Sequence, residues 1–344
     1  MTLRLPPGPI ETLADLRSAL QMAVELEHAA IPPYLCALYS MAEGRNLEAA
    51  EIIQGVVMEE MLHLTQAANV LNAIGGIPNI DHSDFVPRYP APLPGGGVLV
   101  SLGRFSQASI KSFLRIERPE RPGAQPETTH YQTIAQFYAA IEEALTKLAA
   151  ERPIFTGDPA RQVLPGTYIY GSAGDAIAVH DLDTALQALE LIVDQGEGFD
   201  ATIHEGDQAV GGVRELAHYF RFQQIALGRR YRPSDTPVTG PTGDAVLIDW
   251  EAVYPVRANP RLDDLPVGSE VRAATGECND IYSALLRSLH LAFNGRPDVL
   301  IEAVPLMLQM KDQAVALMKV PIDDSGATAG PTFEYTREPA TTGG

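Results

Sequence analysis

The chain has 344 residues, and its 44 Asp and Glu outnumber its 25 Lys and Arg, which gives a formal net charge of −19. An acidic surface repels nucleic acid and anionic membranes, so we expect neither as a partner. Hydrophobic residues make up 45% and charged residues 20% of the chain, as in folded globular proteins.

The sequence also indicates where the protein is located and excludes some kinds of structure. The sequence has no secretory signal pattern and no apolar run of about 18 residues that would span a bilayer. Two cysteines, Cys36 and Cys278, exclude a disulfide scaffold and a multi-cysteine zinc module, although a single bridge between them stays open. We therefore expect a cytoplasmic protein.

The first two predicted helices form a pair. Apolar residues at helical spacing predict a helix over 12–43, with Thr12 as its N-cap and a kink or interruption at Pro32-Pro33. A second helix is predicted over 46–74, with Asn46 as its cap. Because very few residues join the two helices, we expect them to lie antiparallel.

A long crossover follows the pair. Proline and glycine break the helical pattern over 77–130, where short strands such as 98–102 are possible. One helix is predicted over 132–150, and 153–180 returns to loop and strand chemistry. About 100 residues thus separate the first helix pair from the next, as in bundles with one long crossover.

The second half of the chain adds another helix pair and an extra unit. A third long helix is predicted from 181 or 183 to about 199, and a fourth over about 208–229. An irregular region follows over 231–275, with a strand candidate at 246–250. Two further helices are predicted over 279–294 and 297–319. We expect a mainly α fold: a four-helix bundle over 1–230, with a loop- and strand-rich insertion at about 77–180. The segment 231–344 would pack its two helices on the bundle.

Glu-x-x-His pairs occur more often than chance predicts. Positions i and i+3 share one helix face, so such a pair delivers two ligands to one metal ion. Bundles that hold two metal ions take one Glu from each of two helices and a Glu-x-x-His pair from each of the other two. The chain has four such pairs, Glu25/His28, Glu60/His63, Glu127/His130 and Glu215/His218.

The first helix pair supplies the clearest candidates. Glu60 and His63 fall in the middle of the apolar stripe of the second helix, where ionisable groups are costly to bury without a partner. A metal ion supplies that partner, and a buried ion pair is the alternative. In the first helix Glu27 lies at the centre of the apolar face, whereas Glu25 and His28 lie off it. We treat Glu127/His130 as a coincidence, because a proline-rich loop precedes it.

The second helix pair leaves more open. Glu197 borders the apolar stripe of the third helix within Gln195-Gly196-Glu197-Gly198, where small residues would admit a ligand. Glu190 is the fallback, and Asp200 is not dismissed. In the fourth helix Glu215 and His218 share a face, but that helix is apolar all round, so a hydrogen-bonded core histidine is the alternative for His218.

The six candidate ligands are four carboxylates and two imidazoles, an oxygen-rich set that favours iron or manganese over a structural zinc ion. They are Glu27, Glu60, His63, Glu197, Glu215 and His218. The number of ions, one or two, stays open.

Several stretches resemble the ferritin-like domain of the iminophenyl-pyruvate dimer synthase family, whose members occur in violacein and indolocarbazole biosynthesis. They are Leu26–Leu35, Glu59–Leu64, Asn69–Gly76 and Gln195–Gly198. The resemblance covers about residues 12–228. It implies a ferritin-like four-helix bundle with a long crossover between helices 2 and 3, and metal ligation at the Glu and His positions named above.

We therefore expect a metal-dependent oxidoreductase that acts on a small organic substrate. Its metal would be iron, with two ions expected, or else manganese. One alternative is a metal-binding or iron-handling protein without an organic substrate. A second is a bundle whose buried acids are merely ion-paired. A third is oxidative coupling of an amino-acid-derived imine, which would need a partner oxidase. A homodimer is the default oligomer on general frequency.

Overall fold

The computed structural model describes residues 9–93, 98–119, 134–167, 174–197, 202–204 and 215–337, with only the backbone of Glu197. This part of the chain is mainly helical. Its α-helices are α1 (Leu13–Tyr39), α2 (Leu47–Ala73), α3 (Gln107–Ile116), α4 (Ile134–Glu151), α5 (Leu182–Glu197), α6 (His218–Leu227), α7 (Glu270–Phe293) and α8 (Leu300–Leu317). Two short strands, β1 (Ala91–Pro92) and β2 (Leu99–Val100), pair antiparallel.

The first helix begins as predicted and runs past its prolines. The Thr12 side chain accepts a hydrogen bond from the Asp15 N–H, and the Asp15 carboxylate accepts one from the Thr12 N–H, which completes a capping box. The helix continues through Pro32 and Pro33, so of the two expected outcomes, a kink or an interruption, the interruption does not occur. Proline removes a backbone donor, but the Tyr89 hydroxyl donates to the Ala29 carbonyl at 2.9 Å, in place of the N–H that Pro33 lacks.

The second helix is antiparallel to the first and fastens the crossover. Buried amide side chains on α2 bind main-chain groups of distant segments: Asn69 donates to the carbonyls of Val163 and Ile177, and Asn72 donates to the Phe293 carbonyl. These bonds satisfy loop backbone groups that burial would otherwise leave unpaired. The predicted cap does not form, since Asn46 has a φ of 51° and bonds the Asp249 backbone instead.

The crossover and the fourth helix differ most from expectation. Helix α3 lies in the segment read as loop and strand, and it packs against α6 and α1. The described part of the fourth helix begins at His218 rather than near 208, because Leu216 bridges to His204 and the Ala217 N–H donates to the Ile203 carbonyl. Residues 205–214 lie outside the described part, and the predicted start of this helix near 208 falls among them.

The C-terminal helices close the back of the first pair. Helix α7 packs on α8 and α2, and α8 contacts α1. The hydroxyl of Tyr282 on α7 lies 2.7 Å from Nε2 of the buried His28. The strand candidate at 246–250 is irregular, and Cys36 and Cys278 are buried free thiols. Among the described residues, no helix has the length and hydropathy that a membrane crossing requires.

Candidate metal centre

Five ionisable side chains meet in the buried middle of the bundle. They come from four separate segments, and each is at most 5% exposed: Glu27 of α1, Glu60 and His63 of α2, Glu117 at the end of α3, and His218 at the start of α6. Buried charges are costly unless they are paired or bind a cation. The location of this cluster therefore requires compensation from within the cluster or from an ion.

Glu60 lies between the two histidines. Its Oε1 is 3.0 Å from Nδ1 of His218, and its Oε2 is 3.7 Å from Nδ1 of His63. The two imidazole rings are 5.3 Å apart at their centroids and nearly parallel, at 24°. Each histidine thus directs the same ring nitrogen toward the same carboxylate.

An outer carboxylate completes each side. Glu27 Oε2 lies 3.5 Å from Nδ1 of His63, and Glu117 Oε2 lies 3.5 Å from Nδ1 of His218. We name Glu27, Glu60 and His63 the His63 half-site, and Glu117, Glu60 and His218 the His218 half-site. Both contain two carboxylates and one imidazole, with Glu60 shared.

Two buried tyrosines orient the outer carboxylates. The Tyr138 hydroxyl donates to Glu27, and the Tyr34 hydroxyl donates to Glu117. Burial, followed by the charge of the adjacent carboxylate, raises the pKa of both phenols well above the ordinary value. Both tyrosines therefore stay protonated and serve as fixed hydrogen-bond donors.

The outer ring nitrogens have partners of different kinds. Nε2 of His63 lies 2.8 Å from Oε1 of Gln195 on α5, whereas Nε2 of His218 lies 2.8 Å from Oε2 of Glu59. Arg221 in turn donates to Glu59 at 2.7 Å. These contacts hold both rings with Nδ1 toward the centre, the arrangement that metal-ligating histidines use.

The electrostatics of the cluster call for positive charge at its centre. Burial raises the pKa of Glu27 to about 7 and also raises that of Glu117. Burial opposes ionisation of Glu60 as well, but the two histidines hold its pKa below the ordinary value. Burial likewise opposes protonation of the histidines, yet the carboxylates raise the pKa of His63 to about 10 and hold the pKa of His218 well above its ordinary value.

These side chains fit a divalent metal ion. Ligand atoms of Glu60, His63 and His218 all lie within 4.8 Å of one another, and all three residues are buried. Nδ1 of His218 is buried and has no hydrogen-bond partner among the residues that the structure describes, although Glu60 lies beside it. Mixed carboxylate and imidazole ligands suit iron and manganese.

Four of the six predicted ligands lie in this cluster, Glu27, Glu60, His63 and His218. Glu215 does not, because it precedes α6, its side chain is 38% exposed, and it pairs with Arg221 at 3.1 Å. Glu197 ends α5, and its side chain lies outside the described part. The fallback Glu190 is exposed on α5.

Three other residues considered from the sequence, Glu127, His130 and Asp200, lie outside the described residues.

Sequence reasoning missed two acids. Glu117 was hidden in a segment read as loop, yet Ile110, Phe113 and Glu117 follow one another at helical spacing, so a stripe that ends in an acid was visible. Glu59 was overlooked because it stands next to Glu60. Its burial follows only from the approach of His218 and Arg221.

A small cavity adjoins the cluster on its α5 side. Its volume is about 20 Å³, enough for roughly one water molecule, and it touches Glu27, Glu60, His63 and Glu117. The rest of its wall is apolar or lacks a side chain and consists of Leu26, Ala30, Leu93, Ile116, Ile134, Ile192 and Gly196. The arrangement thus leaves a space of about the size of one water or one diatomic molecule beside the candidate ligands.

A ferritin-like family model matches residues 20–227, which hold most of α1 and all of α2, the crossover, α5 and α6. Dichlorochromopyrrolate synthase of Lentzea aerocolonigenes is 26% identical across 96% of this chain and 37% of its own length. The 2-imino-3-(indol-3-yl)propanoate dimerase of Chromobacterium violaceum is 24% identical across 95% of this chain and 34% of its own.

The chain spans about a third of the length of these curated relatives. Among solved structures, a ferritin-like protein from Caulobacter vibrioides superposes with a TM-score of 0.63 and 22% identity, over 95% of this chain and all of the other. That likeness shows the fold, and the curated relatives confirm the resemblance found in the sequence motifs. The chain belongs to the ferritin-like family.

Proposed function

We propose that this protein is a metal-dependent oxidoreductase that holds two iron ions and acts on a small organic substrate. One observation carries the proposal: Glu60 lies between two histidines, each of which has its own outer carboxylate. A ligand set of this composition, which shares one carboxylate between two half-sites, is what two adjacent cations need. Manganese would satisfy the same ligands.

The residues of each half-site have separate tasks. Glu60 would bridge, Glu27 and Glu117 would each bind one ion, and His63 and His218 would be terminal ligands through Nδ1. Bound iron would supply redox equivalents and open coordination positions for dioxygen or peroxide. Tyr34 and Tyr138 limit the carboxylates to one orientation by donating to the oxygen that does not face the histidine.

The walls around the cluster support oxidative rather than hydrolytic chemistry. The cavity of about 20 Å³ has room for a diatomic oxidant, and its wall away from the acids is apolar. Apolar walls protect reactive species from premature quenching. The organic substrate itself would therefore meet the site from the outer side of this wall.

The class of organic substrate rests on the relatives. One curated relative is named a dichlorochromopyrrolate synthase, and the other is named a dimerase of 2-imino-3-(indol-3-yl)propanoate, an imine that carries an indole ring. Oxidative coupling of an amino-acid-derived imine is therefore the second candidate function. It would need a partner oxidase that supplies the imine.

Metal content is the first test. Protein purified without chelator should contain about two equivalents of iron or manganese per chain by mass spectrometry, and the double variant His63→Ala/His218→Ala should contain none. Glu190→Gln changes an exposed acid of α5 and serves as the matched control, with unchanged metal content. Dioxygen consumption after anaerobic loading with Fe²⁺ would then report oxidase chemistry, and indole-3-pyruvate imine generated by an added amino-acid oxidase would test coupling.

The same experiment has outcomes that overturn the proposal. About one equivalent would replace it with a mononuclear centre. No metal, and no uptake of Fe²⁺ under anaerobic conditions, would leave a ferritin-like scaffold whose acids and histidines are ion-paired. Oxidation of Fe²⁺ without any effect of organic substrates would favour an iron-handling protein.

A further inference from the structure

The two half-sites have matching ligands but different groups behind their histidines. Behind His63 is the neutral amide of Gln195, with Oε1 2.8 Å from Nε2. Behind His218 is the carboxylate of Glu59, with Oε2 at the same distance of 2.8 Å from Nε2. The distance from each Nε2 to its acceptor is therefore the same on the two sides, and the two acceptors differ in charge.

The proton positions follow from the ring orientation. A histidine that binds a cation through Nδ1 must carry its proton on Nε2, because a neutral imidazole has one N–H. His63 would then donate to the amide oxygen of Gln195, and His218 would donate to the carboxylate of Glu59. A charged acceptor makes the stronger hydrogen bond and draws the N–H proton further away from the ring. His218 is left as the more electron-rich ligand.

Glu59 is held as an anion by its surroundings. Its carboxylate is 1% exposed, and Oε1 accepts a hydrogen bond from Arg221 at 2.7 Å. Its other oxygen faces Nε2 of His218, so the guanidinium of Arg221 and the imidazole together compensate the buried carboxylate charge. Glu215, on the other side of Arg221, completes a chain of alternating charge that reaches the protein surface.

We propose that Glu59 and Gln195 make the two half-sites unequal, so that the His218 half-site takes the first metal ion and holds it more tightly. Both residues are positioning residues, since they act through the histidines and touch no metal ligand atom. The inference rests on the proposed function, because it needs two bound ions. It adds an order of filling that the ligands alone do not impose.

The test is a stepwise titration of metal-free protein with Co²⁺, whose visible absorption reports the ligands of each ion. Two steps are expected. His218→Ala should abolish the tighter step and His63→Ala the weaker one, which assigns each step to its half-site. Glu59→Gln, which keeps the shape of the side chain, should weaken the tighter step by about 10- to 100-fold, the usual effect of losing such a partner.

Exchanging the two partners gives the sharpest result. Gln195→Glu should tighten the weaker step, and the double variant Glu59→Gln/Gln195→Glu should reverse the order, with the His63 half-site filling first. A merely structural role would not produce this reversal. Glu215→Gln is the control, because it removes the other partner of Arg221 and leaves the Glu59–His218 contact in place; it should keep the wild-type order.

Three results would overturn the inference. They are equal affinities in the wild-type protein, an order unchanged by the double exchange, and a Glu215→Gln effect as large as that of Glu59→Gln. Each of these leaves two ions bound, so the proposed function would survive. Failure to bind Co²⁺ or Fe²⁺ at all would instead overturn the proposed function.

Discussion

Oε1 of Glu60 lies 3.0 Å from Nδ1 of His218, and this contact joins α2 to the first residue of α6 in the middle of the bundle. Both groups are buried, and the histidine nitrogen has no hydrogen bond in the described part of the chain. A bond to a shared cation would satisfy both groups.

Glu117, not Glu215, should be required for full metal loading. The structure brings Glu117 to within 3.5 Å of Nδ1 of His218, whereas Glu215 is paired with Arg221 near the surface. Glu117→Gln keeps an oxygen for Tyr34 but removes the charge, so about one of the two expected equivalents should be lost. Metal analysis of Glu117→Gln beside Glu215→Gln decides between the two acids. Loss of metal from the Glu215 variant alone would contradict this placement.

Gly196 should control access of oxidant to the cluster. A Cβ at this position would lie 3.7 Å from Oε2 of Glu117, an ordinary contact, so Gly196→Ala should fold and bind metal. The alanine should also raise the free energy of unfolding by up to about 1 kcal/mol, because glycine disfavours helix. Gly196→Leu should fill the small cavity and slow dioxygen consumption by Fe²⁺-loaded protein, with metal content retained.

The alanine variant is the control for size at this position. Equal dioxygen consumption by the leucine and alanine variants would show that the oxidant enters from another side.

Gly157 should be essential for docking the crossover on α2. A Cβ there would lie 1.8 Å from the Asn72 carbonyl oxygen, and the Gly157 N–H donates to the Ala73 carbonyl at 2.9 Å. Gly157→Ala must push the backbone apart, so urea denaturation should show a loss of about 1–3 kcal/mol. Gly276→Ala, inside α7 with open space around it, should instead gain up to about 1 kcal/mol. Similar stabilities for the two variants would refute this packing.

The two cysteines should be inert in the native protein. Burial raises the pKa of both Cys36 and Cys278 to about 12, and the thiolate is the reactive form. Iodoacetamide at pH 8 should therefore label neither thiol until urea unfolds the chain, as read by mass spectrometry. Fast labelling of the native protein would contradict the burial of these side chains.

The same thiols should make stability fall at high pH. Their native pKa of about 12 lies above the ordinary value of 9.0, so the contribution is complete below about pH 9. It is lost as the pH rises toward 12, because the unfolded thiols ionise first. Denaturation of Cys278→Ala across this range should show a shallower decline than the parent protein.

Local pattern was sufficient for the first helix pair. The helical spacing of apolar residues predicted α1 and α2, and Thr12 was predicted as the cap of α1. The same spacing placed Glu27, Glu60 and His63 on the inner faces of these helices. Pro32 and Pro33 do not interrupt α1, and the sequence near them could not show why: the donor that compensates for Pro33 is the hydroxyl of Tyr89, a residue far along the chain. Asn46 was predicted to cap α2, but its side chain bonds the backbone of Asp249 rather than its own helix.

The second half of the centre was not local. The structure places the predicted His218 in the cluster, but not Glu215, which was paired with it on the assumption that one helix carries both; α6 begins only at His218. Glu117 lies at the end of a ten-residue helix inside a segment rich in proline and glycine. Nothing in its own neighbourhood shows that α3 would pack against α6.

The sequence by itself determined the family, the mainly helical bundle and the half of the centre that α1 and α2 provide. It could do so because helix phase and i, i+3 spacing are properties of neighbouring residues. Only the tertiary structure decided which acid faces His218, that Gln195 and Glu59 support different histidines, and that Arg221 neutralises Glu59. Those contacts join segments far apart in the chain, and packing of the whole core sets which of them meet.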